Sequence, residues 1–96
     1  MAIKIRIPSP LRQFTSGVDV LESDAAHVGG VLDDVISKSA GIESRLFKAG
    51  LPGAPKTLNR FVNIYVNDED IRFLGKLQTP VKDGDIVSIV PAIAGG

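Results

Sequence analysis

Apolar and polar positions alternate at the start of the chain, where Ile3, Ile5 and Ile7 are separated by small or charged residues. Alternation with period two in β-branched residues is typical of a half-buried strand. The prolines at positions 8 and 10 predict the end of this strand, and we expect Phe14 to be the first core residue of the following turn. After the turn signal at residues 15–17, the pattern predicts a second strand over 18–22 that pairs with the first as a hairpin.

An apolar stripe with helical spacing follows. Its members recur at i, i+3, i+4, i+7 and i+8, and they are Val28, Val31, Leu32, Val35 and Ile36. This stripe predicts one amphipathic helix, with Ser23 or Asp24 as the N-cap because a short side-chain oxygen can accept a free backbone N–H. Gly41 is expected to stop the helix, and one further helical turn is predicted over 42–46.

Gly29 and Gly30 lie inside this helix, where each glycine costs about 1 kcal/mol relative to alanine. Close packing of the helix on the sheet explains the pair. A phosphate-binding loop is the alternative, but neither a strand–GxGxxG–helix pattern nor a GxxxxGK[ST] pattern is present. We therefore prefer the packing interpretation.

Residues 47–60 contain two glycines and two prolines, which predicts a loop. The segment is locally basic, which fits either a solvated loop or a docking surface for an acidic partner. A strand is predicted over 61–66, with Val62, Ile64 and Val66 facing the core. A polar turn at 67–70 follows, and 71–73 is expected to continue as a further short strand.

A last strand is predicted over 86–90, with Val87 and Ile89 facing the core and Pro91 closing it. Before it, 77–81 is expected to be a short irregular crossing and 82–85 a turn. One main helix and four to five strands predict an α+β domain in which the helix covers one face of a mixed sheet. The first and last strands are apolar enough to pair in parallel at the centre of that sheet.

Composition removes most enzyme chemistries. The chain of 96 residues has no Cys and a single His, His27, so thiolate sites, disulfides and multi-histidine zinc sites are not expected. A Ser-His-Asp triad has only one candidate base. Lys plus Arg is 11 and Asp plus Glu is 11, so no general attraction to nucleic acid or to an anionic membrane is expected. No apolar run approaches the roughly 20 residues that span a bilayer, and no signal peptide is evident. A cytosolic protein is therefore predicted.

The remaining candidate group is the C-terminal carboxylate of Gly96. The final segment, Ala92-Ile93-Ala94-Gly95-Gly96, directly follows the predicted last strand. A frayed terminus is the simplest explanation of such a tail. Small residues also suit entry into a narrow channel of another protein, because glycine adopts backbone angles closed to other residues. In that interpretation Gly96 is activated, Gly95 gives access, Ala92 and Ala94 keep the approach slim and Ile93 anchors it.

With these residues in view, the chain resembles the ThiS/MoaD sulfur carriers, a branch of the ubiquitin-like proteins. The likeness rests on FVNIYVNDEDIRF at 61–73 and VKDGDIVSIVPAIAGG at 81–96, where a D-G-D turn leads into the last strand, a proline and a Gly-Gly ending. The resemblance implies a β-grasp domain over 1–91 and a flexible tail over 92–96. It also implies a carrier that has no catalytic site or bound cofactor of its own.

The resemblance further implies a set of partner enzymes. An E1-like adenylyltransferase and sulfurtransferase uses ATP to convert Gly96 into a thiocarboxylate. In the branch that this sequence is most similar to, a PLP-dependent cysteine synthase receives the sulfur and a JAMM-type zinc peptidase releases cysteine. The ATP, PLP and zinc belong to those partners.

Three alternatives stay open at this point. The chain can be a molybdopterin synthase small subunit, a protein modifier conjugated through Gly96, or a plain interaction domain whose tail does no chemistry. A partner-binding patch is predicted on the face opposite the helix, at Tyr65, Ser88 and Val90, with Phe73 near the tail. Scattered surface apolar residues are the simpler explanation of the same positions.

Overall fold

The computed structural model describes residues 2–39, 41–47, 58–59 and 62–91. The strands in this part of the chain are β1 (Ile3–Arg6), β2 (Val20–Ser23), β3 (Val62–Val66), β4 (Glu69–Asp70) and β5 (Ile86–Pro91). The helices are α1 (Val28–Lys38) and the single turn α2 (Glu43–Leu46). Three 3-10 helices complete the set, at Ser9–Phe14, Ile71–Phe73 and Lys76–Gln78.

The strands form one mixed, five-stranded sheet in the order β2-β1-β5-β3-β4. β1 pairs with β5 in parallel, which confirms the predicted central pairing of the first and last strands. The pairs β1 with β2, β3 with β5 and β3 with β4 are antiparallel. Strands at the centre of a sheet are buried on more sides than edge strands, and this explains the apolar character of β1 and β5.

The core lies between α1 and one face of the sheet. The helix contributes the four buried residues of its predicted stripe, Val28, Val31, Leu32 and Val35, while Ile36 is half-buried. The sheet contributes its alternate positions, among them the buried Ile3, Ile5, Ile64, Val87 and Ile89. The predicted α+β fold, with one main helix on one face of the sheet, is therefore confirmed.

Several local predictions were wrong. The helix cap is His27 rather than Ser23 or Asp24, and no side-chain hydrogen bond caps it. Ser23 instead belongs to β2, where its buried hydroxyl bonds Asp34 of α1. Gly41 does not end α1, which stops at Lys38, although its φ of +87° marks the turn into α2.

The segment after β3 also differs from the prediction. Asn67 and Asp68 have φ values of +49° and +74°, which is the pattern of a type I′ hairpin turn. Glu69 and Asp70 therefore pair back onto β3, and the expected strand at 71–73 is a 3-10 helix. Near the N-terminus, Leu11 is buried, and the predicted core residue Phe14 is only half-buried against the core.

Gly29 and Gly30 are closely packed, which agrees with the packing interpretation rather than with a phosphate-binding loop. A Cβ on Gly29 would lie 3.2 Å from the carbonyl oxygen of Leu77, and one on Gly30 would lie 3.0 Å from the Cβ of Ala25. The contacts are made with the connections flanking the helix rather than with the sheet. They bring the start of α1 against the 3-10 helix at Lys76–Gln78.

Candidate functional site

The last strand sets where the predicted tail begins. β5 lies between β1 and β3, and its inward residues Val87 and Ile89 are buried. Pro91, the last described residue, is paired with Val62 at the start of β3. The predicted site residues Ala92, Ile93, Ala94, Gly95 and Gly96 lie outside the described residues, so their proposed roles stay predictions.

The strand that leads to the tail is held in place at its other end by a polar brace. The side-chain amide of Asn67 donates to Oδ1 of Asp85 at 2.9 Å, and its oxygen accepts from the backbone N–H of Ile86 at 2.9 Å. Oδ2 of Asp85 accepts from the backbone N–H of Lys82 at 2.9 Å. These hydrogen bonds, with the Asn67 bond first, lower the pKa of Asp85 below its ordinary value.

The open face of the sheet carries the predicted partner patch. Strand register places Tyr65 opposite Ser88, and Asn63 opposite Val90, on the face away from α1. Val90 is 38% exposed, while Tyr65 and Ser88 are half-buried. The same face continues across Ile86, Lys4 and Arg6 through the pairing of β1 with β5. Exposed apolar side chains, Ile86 and Val90, therefore share this face of the sheet with the exposed cationic side chains of Lys4 and Arg6.

Phe73 stands apart from that sheet surface. It ends the 3-10 helix at Ile71–Phe73 and is 85% exposed, which is unusual for a phenylalanine. Leu74 follows it and is also exposed. The backbone pairing brings Tyr65 and Val90 onto neighbouring strands, but it does not place Phe73 among them. Whether Phe73 lies near the tail stays a prediction, because residues 92–96 are not described.

An ion pair is found beside Phe73. The guanidinium of Arg72 bonds the Asp70 carboxylate, with 2.7 Å between Nη2 and Oδ2. The hydrogen bond from Arg72 lowers the pKa of Asp70, and Asp70 raises the pKa of Arg72. Asp70 also caps the 3-10 helix by accepting the backbone N–H of Arg72 at 2.8 Å. The pair orders the turn between β4 and the 3-10 helix.

Neither a metal site nor a membrane span is formed by the part of the chain that the structure describes. Among residues 2–39, 41–47, 58–59 and 62–91, no group of three or more His, Asp or Glu side chains could hold a metal ion. Within the same ranges, no helix combines the length and apolar character needed to cross a membrane. His27 is used as the helix cap residue, and its backbone bridges Pro80.

The comparison with known protein families decides the classification. The model of the ThiS family matches residues 5–96, so the match includes the Gly-Gly ending. The chain belongs to the ThiS family. It is 45% identical to the sulfur carrier protein CysO of Mycobacterium tuberculosis H37Rv, and the alignment covers 100% of both chains.

Solved structures agree with this ThiS family assignment. The chain superposes on the crystal structure of the Amycolatopsis orientalis BexX/CysO complex with a TM-score of 0.85, 47% identity and coverage of 99% of this chain and 100% of that one. The solution structure of small archaeal modifier protein 1 from Methanosarcina acetivorans gives a TM-score of 0.86 at 28% identity, covering 99% and 96% of the two chains. These ubiquitin-like neighbours confirm the predicted β-grasp fold, and the first of them agrees with the 45% identity to the mycobacterial CysO.

Proposed function

We propose that this ThiS family protein carries sulfur as a thiocarboxylate on Gly96. The observation that carries the proposal is the end-to-end match to a sulfur carrier: 45% identity over all 96 residues, with no part of the chain left unaligned. The fold supports it, because β5 is a central strand of the sheet and its last residue, Pro91, immediately precedes the small-residue segment at 92–96.

The chemistry needs a partner at every step. A carboxylate is a poor electrophile, so a carboxylate oxygen of Gly96 first attacks the α-phosphate of ATP and releases pyrophosphate. Sulfide then adds to the acyl carbon, and AMP leaves with the bonding electrons. Where a persulfide is the nucleophile, the acyl disulfide formed first must be cleaved by a thiol, which leaves one sulfur on the acyl carbon and is itself oxidised to a disulfide. The product is a thiocarboxylate in which one oxygen of Gly96 has been replaced by sulfur. This chain supplies only the acyl group and the surface that the activating enzyme recognises.

We propose cysteine synthesis as the destination of the sulfur, through a PLP-dependent cysteine synthase and a JAMM-type zinc peptidase. The likeness to CysO supports this branch over molybdopterin synthesis. That an Amycolatopsis CysO was crystallised in a complex with BexX supports protein partners as the route of delivery. The open sheet face at Tyr65 and Val90, with Phe73, is proposed as the contact surface for such partners.

Protein modification is the second candidate, because the chain also superposes on a small archaeal modifier protein. In that use Gly96 forms an isopeptide bond with a lysine of a target protein. Both uses begin with the same adenylate, so they differ only in the nucleophile that displaces AMP.

Intact-mass analysis tests the proposal directly. The purified chain is incubated with ATP, an E1-like enzyme from a CysO system and sulfide. A mass gain equal to the exchange of one oxygen for sulfur is expected, and it should be absent from a chain lacking Gly95 and Gly96. A Ser37→Ala chain, changed on the exposed side of α1, is the matched control and should react normally. Failure of the unaltered chain to gain sulfur, or sulfur on the truncated chain, contradicts the proposal.

A further inference from the structure

Two hydrogen bonds join the residue before β1 to the turn before β5. The backbone N–H of Ala2 donates to Oδ1 of Asp83 at 2.7 Å, and the backbone N–H of Gly84 donates to the carbonyl oxygen of Ala2 at 3.2 Å. We call these two bonds the Ala2 latch. The N–H of Lys4 then donates to the carbonyl of Asp85 at 3.1 Å, so the latch lies at the start of the β1–β5 ladder.

Asp83 and Gly84 occupy the two central positions of an exposed type II turn. The N–H of Asp85 donates to the carbonyl of Lys82 at 2.9 Å and closes the turn. Gly84 has a φ of +91°, whereas Asp83 is not among the residues with positive φ, and this combination is that of type II. Both central residues are exposed. Apart from its chain neighbours, no described residue has an atom within 4 Å of a Cβ placed on Gly84.

An aspartate followed by glycine can rearrange without any cofactor. The backbone nitrogen of the glycine attacks Cγ of the aspartate, a C–N bond forms, and water leaves to give a five-membered succinimide. Water then adds to the former main-chain carbonyl, whose C–N bond breaks, and the chain continues through the side-chain carbonyl as isoaspartate. Glycine favours the attack because it has no Cβ beside the nitrogen. The sequence contains one Asp-Gly pair, at 83–84, and no Asn-Gly pair.

The Ala2 latch holds both reacting groups. The carboxyl of Asp83 that must be attacked accepts from the N–H of Ala2, and the Gly84 nitrogen that must attack donates to the carbonyl of Ala2. The succinimide ring cannot close until the carboxyl and the amide have both turned away from Ala2. A closed latch therefore slows the rearrangement, although the turn itself is open to solvent.

Opening the latch does not require unfolding of the domain. Ala2 lies ahead of β1 and is not one of the paired residues of that strand. Backbone at the margin of a strand opens with a much lower free energy than the core, which opens only when the whole domain unfolds. The folded chain therefore exposes Asp83 and Gly84 to rearrangement each time Ala2 moves away.

We propose that Asp83–Gly84 is a modification site at which the folded chain forms isoaspartate, and that the Ala2 latch sets the rate. The rearranged main chain is one carbon longer directly before β5, so the bond between Lys4 and Asp85 loses its register. The product carries a free α-carboxylate, which is the group that isoaspartyl methyltransferases esterify with S-adenosylmethionine. Neither Gly96 nor sulfur transfer enters into this reaction.

The test follows isoaspartate in the full chain during storage for weeks in mildly acidic buffer. An isoaspartyl methyltransferase with labelled S-adenosylmethionine counts the isoaspartate, and electron-transfer fragmentation locates it. We expect it to accumulate at residue 83 while circular dichroism stays that of the folded chain. Amide hydrogen exchange at Lys4 should be faster in the modified fraction than in the unmodified one, because the bond to Asp85 is weakened.

Two substitutions at Ala2 test the latch. Ala2→Pro removes the N–H that binds Asp83, so isoaspartate should form about 10-fold faster. Ala2→Ser keeps that N–H and should react at the rate of the unaltered chain. Both chains are compared with Met1 retained, as verified by intact mass, because a terminal proline would regain N–H groups.

A third substitution separates the latch from global unfolding. Val35 is fully buried in α1, and Val35→Ala should raise the unfolded population about 10-fold or more. If the latch sets the rate, isoaspartate forms no faster in Val35→Ala than in the unaltered chain. This variant also shows how much of the effect of Ala2→Pro comes from lowered stability.

Three results would overturn the proposal. One is isoaspartate at residue 83 in the urea-unfolded chain but not in the folded chain. Another is an equal rate for Ala2→Pro and Ala2→Ser. The third is a rate that rises in Val35→Ala in proportion to its unfolded population, because the rearrangement would then need global unfolding.

Discussion

Asn67 and Asp85 are held together by a side-chain hydrogen bond of 2.9 Å that joins the hairpin turn after β3 to the residue before β5. Asn67 also has a φ of +49°, a backbone conformation that asparagine tolerates better than most residues. Asn67 therefore adopts the positive φ that the turn requires and also supplies the side chain that bonds Asp85. The consequence is that the two central antiparallel strands, β3 and β5, are fixed at the end opposite Pro91.

Replacing Asn67 tests this brace. Asn67→Gly keeps the backbone conformation but removes the bonds to Asp85 and Ile86, so the free energy of unfolding should fall by about 1–3 kcal/mol. Asp68→Gly is the matched control, because Asp68 has a φ of +74° and lies exposed in the same turn. Its stability should be unchanged or raised by up to about 1 kcal/mol. Urea denaturation measures the free energy of unfolding of both variants. Equal losses in the two would contradict the role of the Asn67 side chain.

The brace also predicts a dependence of stability on acid. The pKa of Asp85 is lower in the folded chain than its ordinary value because Asn67 and Lys82 hydrogen-bond to the ionised form. The stabilisation that ionised Asp85 gives to the folded chain is therefore complete above the ordinary carboxyl pKa, and it is lost as pH falls through the lowered pKa. Asp85→Asn should flatten the acid limb of a plot of unfolding free energy against pH. An acid limb identical to that of the unaltered chain would contradict the assignment.

Gly29 and Gly30 should resist substitution although they lie in a helix. Alanine gains about 1 kcal/mol of helix propensity over glycine. At Gly29, however, the added Cβ meets the backbone carbonyl of Leu77 at 3.2 Å, and that backbone must move. We expect Gly29→Ala to lower the melting temperature, whereas Ser37→Ala on the exposed side of the same helix should leave it unchanged or raise it slightly. A raised melting temperature for Gly29→Ala would show that the backbone around Leu77 moves away from the added Cβ at little cost in free energy.

The open sheet face should matter for partners and not for folding. Tyr65→Glu and Val90→Glu place a charge on the proposed contact surface, and each should weaken binding to the activating enzyme about 10-fold or more while circular dichroism stays unchanged. Val20→Glu is the control, because Val20 is 40% exposed on the edge strand β2, which β1 and β5 separate from β3. If Val20→Glu weakens binding as much as Tyr65→Glu, the contact surface is misplaced.

Bulk at the end of the tail should block activation. Gly95→Val is expected to leave the melting temperature unchanged, since the change falls after β5, and to reduce adenylation of Gly96 by at least 10-fold. Ala92→Gly, a change toward a smaller residue in the same segment, serves as the control and should be activated normally. Pyrophosphate release measures both rates, and equal rates would show that the channel of the enzyme is not narrow.

The regular elements were predictable because each has a periodic pattern that one face of the fold must bury. The alternation at Ile3, Ile5 and Ile7 and the helical stripe from Val28 to Val35 each match the observed burial. The Gly-Gly ending and its family likeness identified the candidate acyl group in the same way, from local sequence. These features do not depend on distant contacts.

Some of the features that sequence patterns missed depend on contacts between elements. Nothing local distinguishes Ser23 as a partner of Asp34 from Ser23 as a helix cap, since the choice is made where β2 meets α1. The 3-10 helix at Ile71–Phe73, by contrast, is capped locally by Asp70, which accepts the backbone N–H of Arg72. The strand before it, β4, is only two residues long, a length that the apolar pattern did not indicate.

The parallel pairing of β1 with β5 has a consequence for biosynthesis. The centre of the sheet is made from the first and the last described strands, so a growing polypeptide cannot complete its core until β5 has left the ribosome. Pairings between such distant segments are slow to form and cooperative. Fragments released early therefore lack one of the two strands at the centre of the sheet and have no stable domain.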